Sequence, residues 1–284
     1  MTVLATPTAA AAPGSAAVAA PPSAVRGVPP AAARRRRSPL AVVRLLSPVG
    51  ALLLWQLASS VGLLPTRLLA GPVTILRTGW SLAADGTLGT ALEVSLQRAA
   101  IGFAAGALVG VALGALTGLS RWADALLDPL LQALRTLPFL GLVPLLILWF
   151  GIGELPKVVL IGLGAAFPLY LNTYAGIRAV DKRLVEAATT LRLSRVELLR
   201  HVILPGAAGP VLVGLRQGLG VAWLSLIVAE QVNADAGLGQ MIMDARDFLR
   251  TDVIVVGLLI YATLGLLTDA LVRLLERKAL AWRG

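Results

Sequence analysis

Long apolar runs separated by short polar connections make up most of the chain. Six of these runs are long enough to cross a membrane, for which ~20 mostly apolar residues suffice. They predict spans at about 40–64, 99–119, 130–150, 158–177, 210–232 and 253–275. Pro138 and Pro144 interrupt the third span, and a membrane helix tolerates such prolines where protein or a water-filled path satisfies the freed backbone carbonyls. The pattern predicts an all-α integral membrane protein with six transmembrane helices.

The second span has a glycine at every fourth position. These glycines are Gly102, Gly106, Gly110, Gly114 and Gly118. Residues at that spacing lie on one face of a helix, and a smooth glycine face lets a second membrane helix approach closely. We therefore expect a helix-packing surface there. The connection before this span, 65–97, is of mixed polarity and is expected to be external, with short amphipathic helices.

A segment of different composition precedes the first span. Residues 1–38 consist largely of alanine and proline, which cannot bury enough side chain to offset the loss of chain entropy, and we expect a disordered tail. The tail ends in an arginine cluster, 34–37, and positive residues beside a span stay on the cytoplasmic side. With six spans in 39–284, both termini are predicted to be cytoplasmic, in a multi-pass protein of the inner (cytoplasmic) membrane.

A charged segment, 181–205, lies between the fourth and fifth spans. It is rich in arginine, which favours the cytoplasmic side. Asp181 is positioned to cap a first helix, and Ser194 with Glu197 has the pattern of a capping box for a second. Pro205 lacks the amide proton that a continuing helix needs, so the second helix is predicted to end just before it. The pattern predicts a helix-turn-helix elbow, although a generic charged loop between spans is more often only solvated.

Composition excludes several classes of protein. With 57% apolar residues, 14% charged residues and a mean hydropathy of +0.82, the chain is too apolar for a soluble globular domain, in which about a quarter of residues are charged. The net charge of +10 does not indicate nucleic-acid binding, because the arginines lie beside spans, where membrane orientation explains them. The absence of cysteine excludes disulfides and thiol chemistry, and the single histidine lacks partners for a metal site.

The chain lacks the sequence of an ATP-binding loop. Such a loop needs a lysine directly after a glycine, in the pattern GxxxxGK(S/T). The three lysines, Lys157, Lys182 and Lys278, follow proline, aspartate and arginine instead. The sequence shows no nucleophile elbow and no convincing pair of carboxylates either. We therefore expect no catalytic residue, no bound metal and no cofactor in this chain.

Part of the elbow resembles a known motif. Glu186-Ala187-Ala188, followed by Ile203-Leu204-Pro205, is similar to the "EAA" loop of binding-protein-dependent ABC transporter permeases. The similarity extends over about 40–283 and is carried further by the stretches 55–62, 118–122, 146–152, 201–207, 226–230 and 251–257. Within this family the chain is most similar to the permeases for aliphatic sulfonates, in the group that also includes those for taurine and nitrate.

The resemblance implies the ABC type I importer permease fold and ATP-driven import of aliphatic sulfonates by alternating access, with taurine or nitrate as alternative substrates. It implies four partners: a second permease copy in a homodimeric pore, two copies of an ATPase subunit that hold ATP and Mg²⁺, a periplasmic or lipoprotein substrate-binding protein, and membrane lipid. In this scheme the elbow docks on the ATPase and passes its motion to the spans. The implied coupling residues are Glu186, Ala187, Ala188, Arg192, Ser194, Leu204 and Pro205.

The chain departs from the family motif at Arg192, where the family has glycine. This position is the C-terminal turn of the first elbow helix, where glycine adopts a left-handed conformation without steric penalty. An arginine that keeps the same backbone geometry is expected to cost about 1 kcal/mol of stability.

Polar residues within the spans are candidates for the substrate path. Arg216 lies in the fifth span, where a charge must face protein or water, and a fixed cation would suit a sulfonate. Pairing with an acid on a neighbouring span explains the same arginine. Asn172, Trp223 and Arg135 are further candidates. Because Arg216 and Asp269 both lie within spans, an ion-coupled secondary transporter is a second hypothesis, and a membrane scaffold without transport is a third.

Overall fold

The computed structural model describes residues 39–65 and 68–281, with side chains from Ser47 onward apart from Asn233. Contacts divide the chain into two units after Pro48, and the residues from Val49 onward form the larger unit. The predicted disordered tail, 1–38, lies outside the described residues. Within the described residues all regular secondary structure is helical, as the sequence predicts.

Eleven α-helices follow one another in the part of the chain that the structure describes. They are α1 (Pro39–Ser60), α2 (Pro72–Ala84), α3 (Thr87–Leu119), α4 (Arg121–Thr136), α5 (Val143–Phe150), α6 (Glu154–Arg178), α7 (Lys182–Thr190), α8 (Arg195–Leu198), α9 (Leu204–Asn233), α10 (Leu238–Asp247) and α11 (Thr251–Ala279). A 3-10 turn, Phe139–Leu142, precedes α5, and a π-helical turn, Leu199–Ile203, joins α8 to α9.

Four helical segments among the described residues are long and apolar enough to cross a membrane. They are Thr87–Leu119, Glu154–Arg178, Arg195–Val232 and Thr251–Ala279. α4 and the segment Phe139–Phe150 are a fifth candidate if this pair, bent by 83°, forms one broken span. The second, fourth, fifth and sixth predicted spans are thus confirmed as helices. α1 occupies the position of the first predicted span but is not one of these candidates, so a total of six spans stays a prediction.

Two predicted boundaries are wrong because polar residues there continue a helix. The external connection predicted at 65–97 does contain a short helix, but α3 already begins at Thr87. The charged residues Arg121, Asp124 and Asp128 predict a short cytoplasmic turn between the second and third spans, but they lie in the first half of α4. Ser120 caps the N-terminus of α4 by accepting a hydrogen bond from Ala123 N (3.3 Å). A helix does not end where its apolar pattern ends, since its polar side chains can reach water or polar groups of neighbouring helices.

The predicted glycine face of α3 is confirmed as a packing surface. Four of its five glycines are buried, Gly118 is partly buried, and α6 packs along them. A Cβ atom on Gly106 would lie only 2.2 Å from the carbonyl oxygen of Gly162, and one on Gly110 only 2.4 Å from that of Ala166. Any side chain would force the two backbones apart, so this close approach requires glycine. α9 also packs against α6, and these three helices form the centre of the fold.

The outer surface of the bundle is apolar. Leu108 on α3, Leu148 on α5 and Leu266 on α11 are all largely exposed. A buried apolar cluster at the same time joins α3, α6, α9, α10 and α11 on the inside. Apolar side chains on both the inner and the outer faces are typical of a helix bundle that lipid surrounds.

Candidate functional site

The elbow predicted at 181–205 is formed by α7, α8 and the turn between them. α7 begins after Asp181, whose carboxylate accepts a hydrogen bond from Arg183 N (2.9 Å), as the capping pattern predicts. Glu186 and Ala187 are exposed on α7, whereas Ala188 is buried. α7 packs against α8 and the π-helical turn, so the elbow is a folded unit with two of its three motif residues on the surface.

The turn between α7 and α8 holds Arg192 in the left-handed conformation, with φ of +59°. Leu193 N donates to Ala188 O (3.1 Å), and Arg192 N donates to Thr189 O (3.0 Å). These two bonds define a Schellman motif, a common helix ending that usually has glycine at its left-handed position. The arginine thus adopts the left-handed backbone conformation despite its steric cost.

We expect Arg192→Gly to raise the Tm of the purified protein slightly and to leave substrate uptake intact or improved. Glycine removes left-handed strain worth about 1 kcal/mol at this position. Arg192→Ala is the matched control, because it removes the guanidinium but keeps a Cβ atom at positive φ. A large loss of uptake in both variants would contradict the expectation and show that the arginine side chain makes a specific contact.

α8 begins with the predicted capping box. Glu197 N donates to Ser194 Oγ (3.3 Å), and Ser194 N donates to Glu197 Oε2 (2.8 Å). The box satisfies two backbone amides that have no partner within the helix. Ser194 therefore has a structural role that fixes where the second elbow helix starts.

The prediction that Pro205 ends the second elbow helix is wrong. α8 passes through the π-helical turn directly into α9, and Leu204 N donates to Leu199 O across that turn. A proline ring in a regular helix clashes with the carbonyl four residues back, and here that residue, His201, lies within the wider π-helical turn. The second elbow helix and the fifth predicted span are consequently one continuous helix, Arg195–Val232.

Two of the four predicted substrate-path residues, Arg216 and Trp223, line a cavity of about 160 Å³ between α9 and α11. Arg216 Nη2 donates to Glu276 Oε2 (2.8 Å), and its Nε lies 3.1 Å from Asp269 Oδ1. Asp269 also pairs with Arg273, so this cluster contains two arginines and two carboxylates and has no net charge. The structure thus shows the alternative interpretation of Arg216, an arginine paired with acids on a neighbouring span.

The other two predicted path residues, Arg135 and Asn172, belong to a second cavity of about 250 Å³, between the break after α4, α6 and α9. Arg135 lines this cavity directly. Asn172 reaches it through Gln217, a lining residue whose Oε1 accepts a hydrogen bond from Asn172 Nδ2 (2.9 Å). Gln217 is not among the predicted path residues, although an amide within an apolar span is itself a signal. The predicted path residues are therefore divided between two cavities.

A buried ion network that the sequence analysis also missed lies at the other end of α6 from the elbow. Its centre is Glu230 on α9, which is fully buried. The carboxylate of Glu230 accepts hydrogen bonds from Ser95 Oγ (2.8 Å), Arg98 Nη1 (2.8 Å), Gly239 N (2.8 Å) and Tyr261 Oη (2.9 Å). These donors belong to α3, α10 and α11, so one carboxylate joins four helices.

Arg98 extends the network to α6. Its Nε and Nη2 donate to the two carboxylate oxygens of Glu154, each at 2.6 Å, and Lys157 Nζ lies 3.0 Å from the same carboxylate. Arg98 and Lys157 are both buried, which is tolerated because each is paired with an acid. The network therefore fixes the positions of five helices at this end of the bundle.

Comparison with known proteins agrees with this architecture. Residues 106–280 match the family model described as binding-protein-dependent transport system inner membrane component. The chain is 53% identical over 235 residues to the SsuC protein of Escherichia coli (strain K12), which covers 83% of this chain and 89% of that protein. It is 45% identical over 239 residues to SsuC of Bacillus subtilis (strain 168), covering 84% of this chain and 87% of that protein. The names of both proteins describe an aliphatic sulfonates transport permease.

A solved structure shares the fold. It is a chain of the crystal structure of an amino acid ABC transporter with histidines, with a TM-score of 0.58 and 20% sequence identity, and the match covers 70% of this chain and 96% of that one. At this sequence identity the similarity shows a shared fold and nothing further. Taken with the family match and the two relatives, it shows that the chain belongs to the family of binding-protein-dependent transport system inner membrane components, the ABC importer permeases.

Proposed function

We propose that this chain is the permease subunit of an ATP-driven importer that moves aliphatic sulfonates across the cytoplasmic membrane by alternating access. The observation that carries the proposal is the identity to two aliphatic sulfonates permeases over more than four fifths of the chain. Taurine and nitrate are the alternative substrates. In either case the chain provides a path and a mechanical connection, and no residue of it breaks a bond.

We assign the remaining components of the importer from the family to which the chain belongs. Its sequence has no ATP-binding loop, so ATP and Mg²⁺ are held by a separate ATPase subunit, present in two copies. A second copy of the permease completes a homodimeric pore, and a periplasmic or lipoprotein binding protein delivers the sulfonate. Lipid covers the apolar outer surface. The arginine distribution supports an orientation with the elbow and both termini in the cytoplasm.

The surface of the elbow suits docking on the ATPase. Glu186 and Ala187 are exposed there, and Leu184, Leu191 and Val196 are apolar side chains of the same elbow that are more than half exposed. Clustered exposed apolar side chains with a polar rim mark protein interaction sites. We assign this surface, which we call the docking surface, to the ATPase groove.

The continuous helix from α8 into α9 supports a direct route for the motion. When the two ATPase subunits close on ATP, they move the docking surface. Because no break separates α8 from α9, the movement passes through Leu204 and Pro205 into the spanning part of α9. α9 packs against α6, so the two helices shift together and switch the pore from inward-facing to outward-facing.

Growth of a deletion strain on single sulfur or nitrogen sources tests the substrate. We expect loss of growth on ethanesulfonate, with growth on sulfate, taurine and nitrate retained, and recovery when the gene is restored. Loss on taurine or nitrate instead would keep the permease and move its substrate to that alternative. Normal uptake without the gene would contradict the proposal and favour a scaffold.

The energy source separates the importer from an ion-coupled secondary transporter. Uptake of ethanesulfonate by cells should stop when ATP is depleted and should continue, while ATP lasts, in the presence of an uncoupler. The opposite result, uptake that survives ATP depletion and is abolished by the uncoupler, would favour the secondary transporter.

A further inference from the structure

The cavity that contains Arg135 lies at the bend between α4 and the segment Phe139–Phe150. α4 ends at Thr136, and the chain turns by 83° before it continues through the 3-10 turn and α5. Three lining residues, Arg135, Leu137 and Phe139, come from this break. Non-helical backbone at membrane depth is tolerated only where protein buries it or where it lines a cavity. A cavity beside the non-helical backbone after α4 meets this condition.

The cavity lies near the middle of the spans. On α6 it is lined by Phe167 and Pro168, which are roughly 20 Å from the helix start and 15 Å from its end at 1.5 Å per residue. On α9 it is lined by Gln217 and Val221, within the segment long enough to cross the membrane. A ligand in this cavity would therefore be about halfway across the bilayer.

Arg135 differs from the other two arginines inside the bundle. Arg98 and Arg216 each contact two carboxylates. Arg135 is exposed and has no acidic partner among the residues that the structure describes. A cation at such depth needs an anionic partner or water. The planar guanidinium donates in parallel to two oxygens of an oxyanion, which matches a sulfonate group.

Gln217 provides a second donor beside Arg135. Its Oε1 accepts a hydrogen bond from Asn172 Nδ2 (2.9 Å). Asn172 Nδ2 also donates to Pro168 O (2.8 Å), which holds the asparagine side chain in place. Since the carbonyl oxygen of Gln217 is occupied, its NH₂ group remains to donate to a ligand. Asn172 thus acts as a positioning residue for the amide.

The rest of the cavity wall is apolar and carries no acid. Its other members are Leu137, Phe139, Gly164, Phe167, Pro168, Leu171 and Val221. An alkyl chain gains by leaving water against such a wall. An ammonium group would find no carboxylate among these described lining residues, and burying it unpaired is costly. A nitrate or sulfate ion would leave the apolar wall without contact.

We propose that this cavity is the site at which the permease itself binds an alkanesulfonate, with the sulfonate on Arg135 and Gln217 and the alkyl chain against Phe139 and Phe167. The proposal rests on the sulfonate import proposed above and adds where selectivity arises within the permease. The site selects an anionic head with an apolar tail and rejects taurine, whose tail ends in an ammonium group. Arg216 and its neutral cluster take no part in binding.

Ligand-induced stabilisation of the permease–ATPase complex, without the binding protein, tests the site. A ligand that binds only the folded protein raises its Tm, because it stabilises the folded state by RT ln(1 + L/Kd), where L is the free ligand concentration. Sodium butanesulfonate should raise the Tm of the wild-type complex, and taurine, sodium sulfate and sodium nitrate at equal concentration should raise it much less. Arg135→Gln should weaken butanesulfonate binding at least about tenfold, because a hydrogen bond to a charged group is lost.

Three further variants keep the result interpretable. Arg77→Gln is the matched control, an identical substitution of an exposed arginine on α2, and should keep the full shift. Arg135→Lys should restore part of it. Gln217→Leu should also reduce the Tm shift caused by butanesulfonate. This variant serves in place of Arg135→Gln if Arg135→Gln does not fold.

The outcomes separate the two proposals. Butanesulfonate that stabilises Arg135→Gln and Gln217→Leu as strongly as wild type would place the site elsewhere. A wild-type complex that no anion stabilises, together with ethanesulfonate uptake by the complete transporter, would overturn the site and leave the proposed import intact. Stabilisation by taurine equal to that by butanesulfonate would overturn the selectivity. Failure of the complete transporter to import any sulfonate would overturn the proposed function itself.

Discussion

Arg98→Leu is expected to lower the free energy of unfolding by about 3–5 kcal/mol, because removing one partner of a buried ion pair leaves the other charge buried without compensation. Most of the loss should come from Glu230, which has no exposed surface. Glu154, the other partner of Arg98, is 59% exposed, so water can replace much of what it loses. The Tm of the purified protein in detergent is the measurement.

The double variant Arg98→Leu/Glu230→Leu is the control for this effect. Replacing both members of a buried pair by apolar residues often changes stability little, so the double variant should be more stable than Arg98→Leu alone. A single variant with the wild-type Tm would contradict the expectation and show that the network does not hold the helices together. A double variant less stable than the single one would show that the remaining hydrogen bonds of Glu230 dominate.

Ala187→Arg is expected to abolish coupling to the ATPase without unfolding the permease. Ala187 is exposed on α7, so the fold can accept a long side chain there. The docking surface proposed for the ATPase cannot, since a charged side chain would occupy the centre of the interface. Disrupting a hot spot near the centre of an interface costs about 2 kcal/mol or more, which corresponds to about 30-fold weaker association. Co-purification of the ATPase subunit with tagged permease and ethanesulfonate uptake are the measurements.

Ala84→Arg is the matched control for the docking surface. Ala84 is also an exposed helical alanine, at the end of α2 and outside the elbow. This variant should retain both the ATPase and uptake. If Ala187→Arg retained them equally well, the exposed motif residues would not form the contact, and the coupling role proposed for the elbow would have to be abandoned.

Local pattern was sufficient wherever a short stretch of sequence determines its own geometry. The capping residues Asp181 and Ser194 start helices where the sequence predicts, because a cap needs only an acceptor and the next turn of backbone. Arg192 lies at the helix end where the family motif has glycine, and it adopts the left-handed conformation that is common at such a position. The predicted starts of two helices were wrong, because α3 and α4 include polar residues that an apolar pattern alone assigns to connections.

The local sequence pattern did not predict that the helix continues through Pro205. Proline predicts a helix end, but a π-helical turn directly before it allows α8 to continue into α9. Whether a helix ends at a proline depends on how the preceding carbonyls are satisfied. In this chain that geometry is set by the packing of α7 against α8 and the π-helical turn, and of α9 against α6.

By itself the sequence determined the helical class, the positions of four of the spans, the glycine face of α3, and the caps and turn of the elbow, since periodicity, hydropathy and capping act over a few residues. Only the tertiary structure decided which charges are paired. Arg98 and Glu230 lie 132 positions apart, and no spacing rule connects them. The same holds for the candidate path residues, because Arg216 is neutralised by α11 while Arg135 is left facing a cavity. A charged residue in an apolar span looks the same in the sequence whether or not it is paired. Its partner depends on which face of a neighbouring helix packs beside it.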